Sequence, residues 1–250
     1  MTEFVEGAGV ALALDARGAG TPLLLVHDLA ADSSAWAELV AALGGSARTL
    51  AYDRRGYGAS GAPEPYERTT VQEQAEDARA VLAAAGVGGG AAGGDDAAAG
   101  GAVAVGAGFG ALVVLDLLVR LPGLLRAAVL VEPPLHQFSE TATSVLSEQR
   151  AMLEVALREG GPAQAVEAAR PGASAAVRAA HRAFFADFGG LASWPVTRRE
   201  LRAVTVPVAV VTDSATPPHL VEAADALAAL LPAARRADDG DAAAAVRALL

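Results

Sequence analysis

An α/β architecture, a mostly parallel sheet flanked by helices on both faces, is what this sequence predicts, on three observations. Five apolar runs of strand length lie at about 22–27, 47–52, 102–106, 126–132 and 206–212, with segments of helical character between them. Strands of a parallel sheet are buried on both sides and read as near-continuous hydrophobic runs, so this alternation predicts that class. A length of 250 residues suits one α/β core with a modest insertion. A hydrophobic share of 53% and a mean hydropathy of +0.35 are enough for a large core; much of that share is alanine, which also favours helices.

The elements follow in order. Residues 4–16 read as an opening hairpin around Gly7-Ala8-Gly9. Leu23-Leu24-Leu25-Val26 is a strand that runs into His27-Asp28, with Trp36 beyond it. The strand at 47–52 leads to Tyr52-Asp53-Arg54-Arg55-Gly56-Tyr57-Gly58-Ala59-Ser60. From Gly86 to Gly101 the chain is low in complexity; no Lys-Ser/Thr follows and no basic residue is near, so a mobile surface loop is expected rather than a phosphate cradle. Val103 to Ala111 then reads as a short buried strand, a sharp turn and a helix start. Its glycine spacing is that of G-x-S-x-G, where a serine hydroxyl stands exposed at the top of a sheet; here the central residue is Gly108. Ala127 to Val131 is the next strand and ends in Glu132-Pro133-Pro134. From Pro134 to Arg202 the pattern turns helical, with Ser144–Arg158 amphipathic and further helices over 162–169 and 173–188. The strand at 206–212 precedes Asp213-Ser214-Ala215-Thr216-Pro217-Pro218.

Bulk chemistry bounds the function. With no cysteine, disulfides, thiolate catalysis and cysteine-ligated metals are excluded. A net charge of −10 argues against a nucleic-acid partner. No run approaches the roughly 20 apolar residues of a membrane span, and Met1-Thr2-Glu3-Phe4 lacks the start of a signal peptide, so a cytoplasmic protein with no membrane partner is expected. Among the four histidines no pair has H-E-x-x-H or similar spacing, and no metal is expected.

Together the His27-Asp28 loop, the Asp53-to-Ser60 turn, the Gly106-x-Gly108-x-Gly110 elbow and Glu132-Pro133-Pro134 resemble the α/β-hydrolase superfamily, over nearly the whole chain. The resemblance implies a core of residues 1–134 and 203–250, with a helical cap, 135–202, inserted after the sixth strand. It also implies what is missing. The nucleophile position is lost at Gly108. The late histidine, which follows the last strand in a G-H pair, is replaced in Gly240-Asp241 by Asp241. Glu132 is the better candidate for the acid position, with Asp213 the alternative, and Asp241 could share the site as a second carboxylate. The backbone oxyanion hole is expected to survive, its donors the N–H groups of Leu29 and Phe109, while Asp28 stands where the family has glycine. His136, at the junction of core and cap, is the favoured general base; His27, the loop histidine, is a weaker catalytic candidate. Phe138, Phe184, Phe185, Phe188, His181 and Trp194 of the cap, with Trp36 and Asp28, are the expected substrate contacts.

Without nucleophile and late histidine, hydrolysis by the family mechanism is not expected. In that loss the chain resembles the cofactor-independent oxygenases and natural-product biosynthesis enzymes of this fold, and the resemblance implies an oxygenase of aromatic polyketide (natural-product or antibiotic) biosynthesis, acting with O₂ on a small apolar aromatic substrate such as an anthrone or hydroxyanthraquinone. A cyclase, C–C lyase or decarboxylase on the same scaffold, and a non-catalytic small-molecule binding protein, stay open at this point. No cofactor is expected, and nothing in the sequence bears on the oligomeric state.

Overall fold

A computed structural model describes residues 2–88, 101–191 and 194–250. Eight strands form one sheet in the order β1-β2-β4-β3-β5-β6-β7-β8. The hairpin β1 (Glu3–Glu6) and β2 (Ala11–Arg17) is antiparallel, and β2 runs antiparallel to β4 (Arg48–Tyr52). From β4 the sheet is parallel through β3 (Pro22–Val26), β5 (Ala102–Ala107), β6 (Leu125–Val131), β7 (Val208–Val211) and β8 (Ala234–Ala237). The predicted class therefore stands. The expected loop at 86–101 lies largely outside the described residues.

Alternate side chains of the strands feed two cores. Leu24, Val26 and Leu50 pack towards α2 (Val71–Ala84), α3 (Phe109–Arg120) and α8 (Pro218–Leu230). Leu23, Leu25, Val103 and Val105 pack on the opposite face, against α1 (Ala37–Leu43) and α9 (Ala242–Arg247). Trp36 belongs to this second core. The expectation that it touches substrate is corrected: a large ring just before α1 gains most by filling the space beneath the sheet. α3 is buried on nearly every face, which is why it carries no polar stripe.

Between β6 and β7 the chain forms a 3₁₀ turn (His136–Phe138), then α4 (Ala142–Ala169), α5 (Ala175–Ala179), α6 (His181–Gly190) and α7 (Arg198–Arg202). The two segments read as separate helices at 144–158 and 162–169 are two helical stretches of α4, separated by a kink at Gly161 (φ 78°), whose backbone is not helical, ahead of Pro162. Proline is tolerated there because it opens the second helical stretch. Among the described residues no helix is long and apolar enough to cross a membrane.

One buried ion pair ties the cap to the core. Asp187 of α6 meets the Arg54 guanidinium at 2.8 Å, both side chains fully buried. Tyr57 Oη–H and Gln74 Nε2–H donate to the same carboxylate, at 2.9 and 2.6 Å. Burial alone would push the Arg54 guanidinium down, but the Asp187 carboxylate beside it more than offsets this and keeps it charged. Arg54 also donates from Nε to the His27 carbonyl (2.9 Å) and from Nη2 to the Asp28 carbonyl (3.1 Å), so the same side chain fixes the loop at the end of β3.

Candidate active site

The C-terminal ends of β3, β5 and β6 deliver Asp28, Gly108 and Glu132 to one edge of the sheet, the usual position of ligand sites in open α/β sheets. Gly108 is the N-cap of α3 and holds φ 50°, ψ −120°, a left-handed conformation that L side chains seldom adopt. The elbow is intact and empty of a nucleophile. What occupies its space is Asp28: a β-carbon added at Gly108 would collide with the Asp28 carboxylate. Asp28 Oδ1 accepts from both predicted oxyanion donors, Leu29 N–H at 2.7 Å and Phe109 N–H at 2.8 Å. The hole forms as expected, but a carboxylate of the chain fills it.

Asp28 Oδ2 lies 4.0 Å from Arg170 Nη1, and about a third of the Asp28 side chain (34%) is exposed, so the carboxylate opens into the space above. That space is a cavity of about 290 Å³ between sheet edge and cap. Asp28, Gly108, Glu132, His136 and His219 line it from below; Arg170, Phe184 and Phe188 stand among the cap residues around it. Burial pushes the Asp28 carboxyl above its ordinary value, against the opposing pull of the two N–H donors and of Arg54 and Arg170. Glu132 accepts from the Thr216 hydroxyl at 2.6 Å. Among the described residues, the two non-glycine positions with positive φ are Ala30 (47°) and Glu132 (49°), and both line the cavity. Strain of this kind, of order 1–3 kcal/mol each, concentrates where surrounding structure holds a functional geometry.

The histidines divide sharply. His27 is fully buried; its Nδ1 donates to the Asp28 carbonyl (2.8 Å) and its Nε2 accepts from Arg54 N–H (2.9 Å). Both nitrogens are committed, so the expected catalytic use of His27 is corrected to a structural one. His136 lines the cavity and stacks on His219, ring centroids 5.9 Å apart and planes 22° from parallel. Burial, reinforced by His219, lowers His136 to about 4. His219 went unrecognised in the sequence except as the start of a helix. Its signal was Pro217-Pro218-His219, which opens α8 at the same sheet edge.

Several other expected contacts lie elsewhere. Asp241 is exposed and caps α9 by accepting from Ala244 N–H at 2.7 Å, so it shares no site with Glu132; an aspartate ahead of an alanine run is an ordinary N-cap. His181 lies in a separate depression beside Tyr66, because the turn before α6 points it away from the cavity. Trp194 is buried and donates its indole N–H to Asp116 at 2.9 Å. Phe138 packs against the first core beneath Arg198, and Phe185 packs edge-on against Phe184 without lining the cavity. Arg170 was missed; a charged residue between a helix end and Pro171-Gly172 reads as surface.

Two expected results arise here. G108S should show no p-nitrophenyl ester turnover and a lower melting temperature, since it combines a strained φ with a collision against Asp28; robust esterase activity would overturn this account of the elbow. Second, stability should fall as pH drops from about 6.5 towards 4. His27, His136 and His219 are all held below their ordinary value by burial, so the unfolded chain takes up protons first and gains on the folded one. Asp28 opposes this, because it is raised. Melting temperatures at pH 7 and pH 5 check the sign, and H136F should flatten the slope.

An open twisted sheet with this strand order, an elbow before α3 and a cap between β6 and β7 defines an α/β-hydrolase fold. The chain belongs to the alpha/beta hydrolase family, whose model matches residues 23–248. Among solved structures it is similar to a thermophilic esterase from Thermogutta terrifontis (20% identity, TM-score 0.73, covering 99% of this chain and 97% of that one). It is also similar to the esterase RhEst1 from Rhodococcus sp. ECU1013 (24%, 0.65, 99% and 97%), and to an alpha/beta hydrolase from Sphaerobacter thermophilus (21%, 0.70, 98% and 98%). A comparison with curated proteins finds no match.

Proposed function

We propose that this chain is a non-hydrolytic enzyme of the family, in which Asp28 serves as general base towards an apolar aromatic carbon or oxygen acid. The observation that carries this is the Asp28 carboxylate seated on Leu29 N–H and Phe109 N–H, in the space a nucleophile would need. The solved relatives named above are esterases and a hydrolase; the reading departs from them on Gly108 and Asp28. A carboxylate pushed up by burial, with one oxygen anchored and the other open to the cavity, is suited to accept a proton. Phe184 and Phe188, 6.1 Å apart and 28° from parallel, give the cavity a flat aromatic wall.

The most concrete reaction is cofactor-independent oxygenation of an anthrone-like polyketide intermediate. Asp28 Oδ2 takes a proton from the ring CH₂. The carbanion reduces O₂ by one electron, and the two radicals combine to a peroxide anion, which takes the proton back from Asp28 to give a hydroperoxide. Loss of water from the hydroperoxide, as its remaining C–H proton is removed, leaves a carbonyl. The sum is CH₂ plus O₂ giving C=O plus H₂O, with no external reductant.

The test is oxygen uptake by the purified protein with anthrones, hydroxyanthraquinols and related polyphenols, product masses being followed in parallel. Uptake above autoxidation, lost on heating, is expected. A changed product mass without uptake would replace the oxygenase by a cyclase or lyase, and tight binding without turnover would replace it by a carrier.

A further inference from the structure

The proton abstraction proposed above leaves a second demand unmet. Charge that forms on carbon delocalises onto the conjugated carbonyl oxygen, and that oxygen needs a hydrogen-bond donor aimed at it. In this fold the backbone N–H groups of Leu29 and Phe109 would serve, but both already donate to Asp28 Oδ1. Asp28 and Glu132 are acceptors. Arg170 Nη1 donates to the Leu29 carbonyl at 3.4 Å and faces Asp28. Two rings remain at the lower wall, His136 and His219, neither with a side-chain hydrogen bond among the described residues; His136 is the one with a sealed edge, which fixes the place of its proton.

His136 has two unlike edges. Its Nδ1 is sealed from solvent and has no hydrogen-bond partner. Its Nε2 edge is not sealed, and the ring lines the cavity. A proton on Nδ1 would be a buried donor with nothing to receive it, which folded proteins avoid more strictly than an unpaired acceptor. The proton therefore sits on Nε2, where water or a ligand receives it. The flanking groups keep the ring neutral: burial and the stacked His219 both disfavour the imidazolium. Stacking on His219 also fixes the plane in which the Nε2–H points.

We infer that His136 is the oxyanion donor of this site, a neutral imidazole whose Nε2–H bonds the substrate oxygen that gathers charge as Asp28 removes the proton. This rests on the function proposed above and narrows its substrates to aromatics whose acidic carbon is conjugated to a carbonyl oxygen, as the CH₂ of an anthrone is across its ring. It also reverses the sequence-based expectation for His136, from base to donor.

The tautomer can be read without substrate, so a failure here is distinct from a failure of the oxygenase reading. Long-range proton–nitrogen correlation spectra of ¹⁵N-histidine-labelled protein at pH 7, assigned with H136Q and H136F, should show His136 protonated on Nε2 alone. His27 is the internal control, with the opposite tautomer dictated by its two hydrogen bonds. A proton on His136 Nδ1, or on both nitrogens, would overturn the inference. Binding of 1,8-dihydroxyanthraquinone, a product-like probe, supplies the second readout. H136F should bind it about tenfold more weakly, the cost of one hydrogen bond, while H136Q, which keeps a donor, should stay within about threefold of the native chain. Equal affinity of H136F and the native protein would also overturn it.

Discussion

Replacing Asp28 by asparagine is expected to remove proton abstraction while leaving the fold in place. The amide keeps an oxygen where Oδ1 accepts from Leu29 and Phe109, so neither backbone N–H is orphaned. It cannot take a proton at physiological pH. A positioned general base contributes roughly 10²–10⁴-fold to rate, and D28N should lose turnover by that factor with its melting temperature nearly unchanged. D28A is the informative companion: it empties the hole, gives up the hydrogen bonds from Leu29 and Phe109 N–H, and should lose both activity and about 1–3 kcal/mol of stability. If D28N turns over like the native protein, the base is Glu132 or a group outside the sheet edge, and the reading of the elbow as a carboxylate seat for catalysis falls.

The largest effect on stability is expected at Asp187, some distance from the chemistry. D187A leaves the Arg54 guanidinium buried without its counter-charge and strips partners from Tyr57 and Gln74. Breaking a buried pair from one side costs roughly 3–5 kcal/mol, which for a chain of this size lowers the melting temperature by about 10 °C. Y57F, which removes one hydrogen bond to the same carboxylate, should cost about 1.5–3 kcal/mol. Because Arg54 also holds the carbonyls of His27 and Asp28, D187A should slow turnover as well. A D187A protein as stable as the native chain would mean that the pair contributes nothing net.

Much of this was legible in the sequence, for reasons that differ by element. β3, β5, β6 and β7 announce themselves because strands buried on both faces must be apolar throughout. β8 does not: Ala-Arg-Arg-Ala lies at the edge, where Arg236 pairs with the exposed carboxylates of Asp225 and Asp238. The break between the helical stretches at 144–158 and 162–169 was legible because Gly160-Gly161-Pro162 is its local signature, and Gly161 is indeed non-helical. At the site, Gly108 and the two oxyanion donors follow from a local turn motif, so their positions could be anticipated. The seat taken by the Asp28 side chain, the two edges of His136 and the reach of Arg170 depend on contacts between segments far apart in the chain. Asp241 shows the converse error, where position by family alignment outweighed a plain capping signal.

The interlock between Asp28 and Gly108 has a consequence for how this sequence can change with time. A lineage that acquired serine at the elbow would first meet the carboxylate already lodged there. One that instead shed the carboxylate would lose the two hydrogen bonds it accepts from the amides of Leu29 and Phe109. Each single step descends before any hydroxyl can act, and even both together lack an imidazole after β8. A serine at the elbow with an imidazole after β8 to activate it therefore requires at least three coordinated substitutions, and the pair acts as a ratchet against that change.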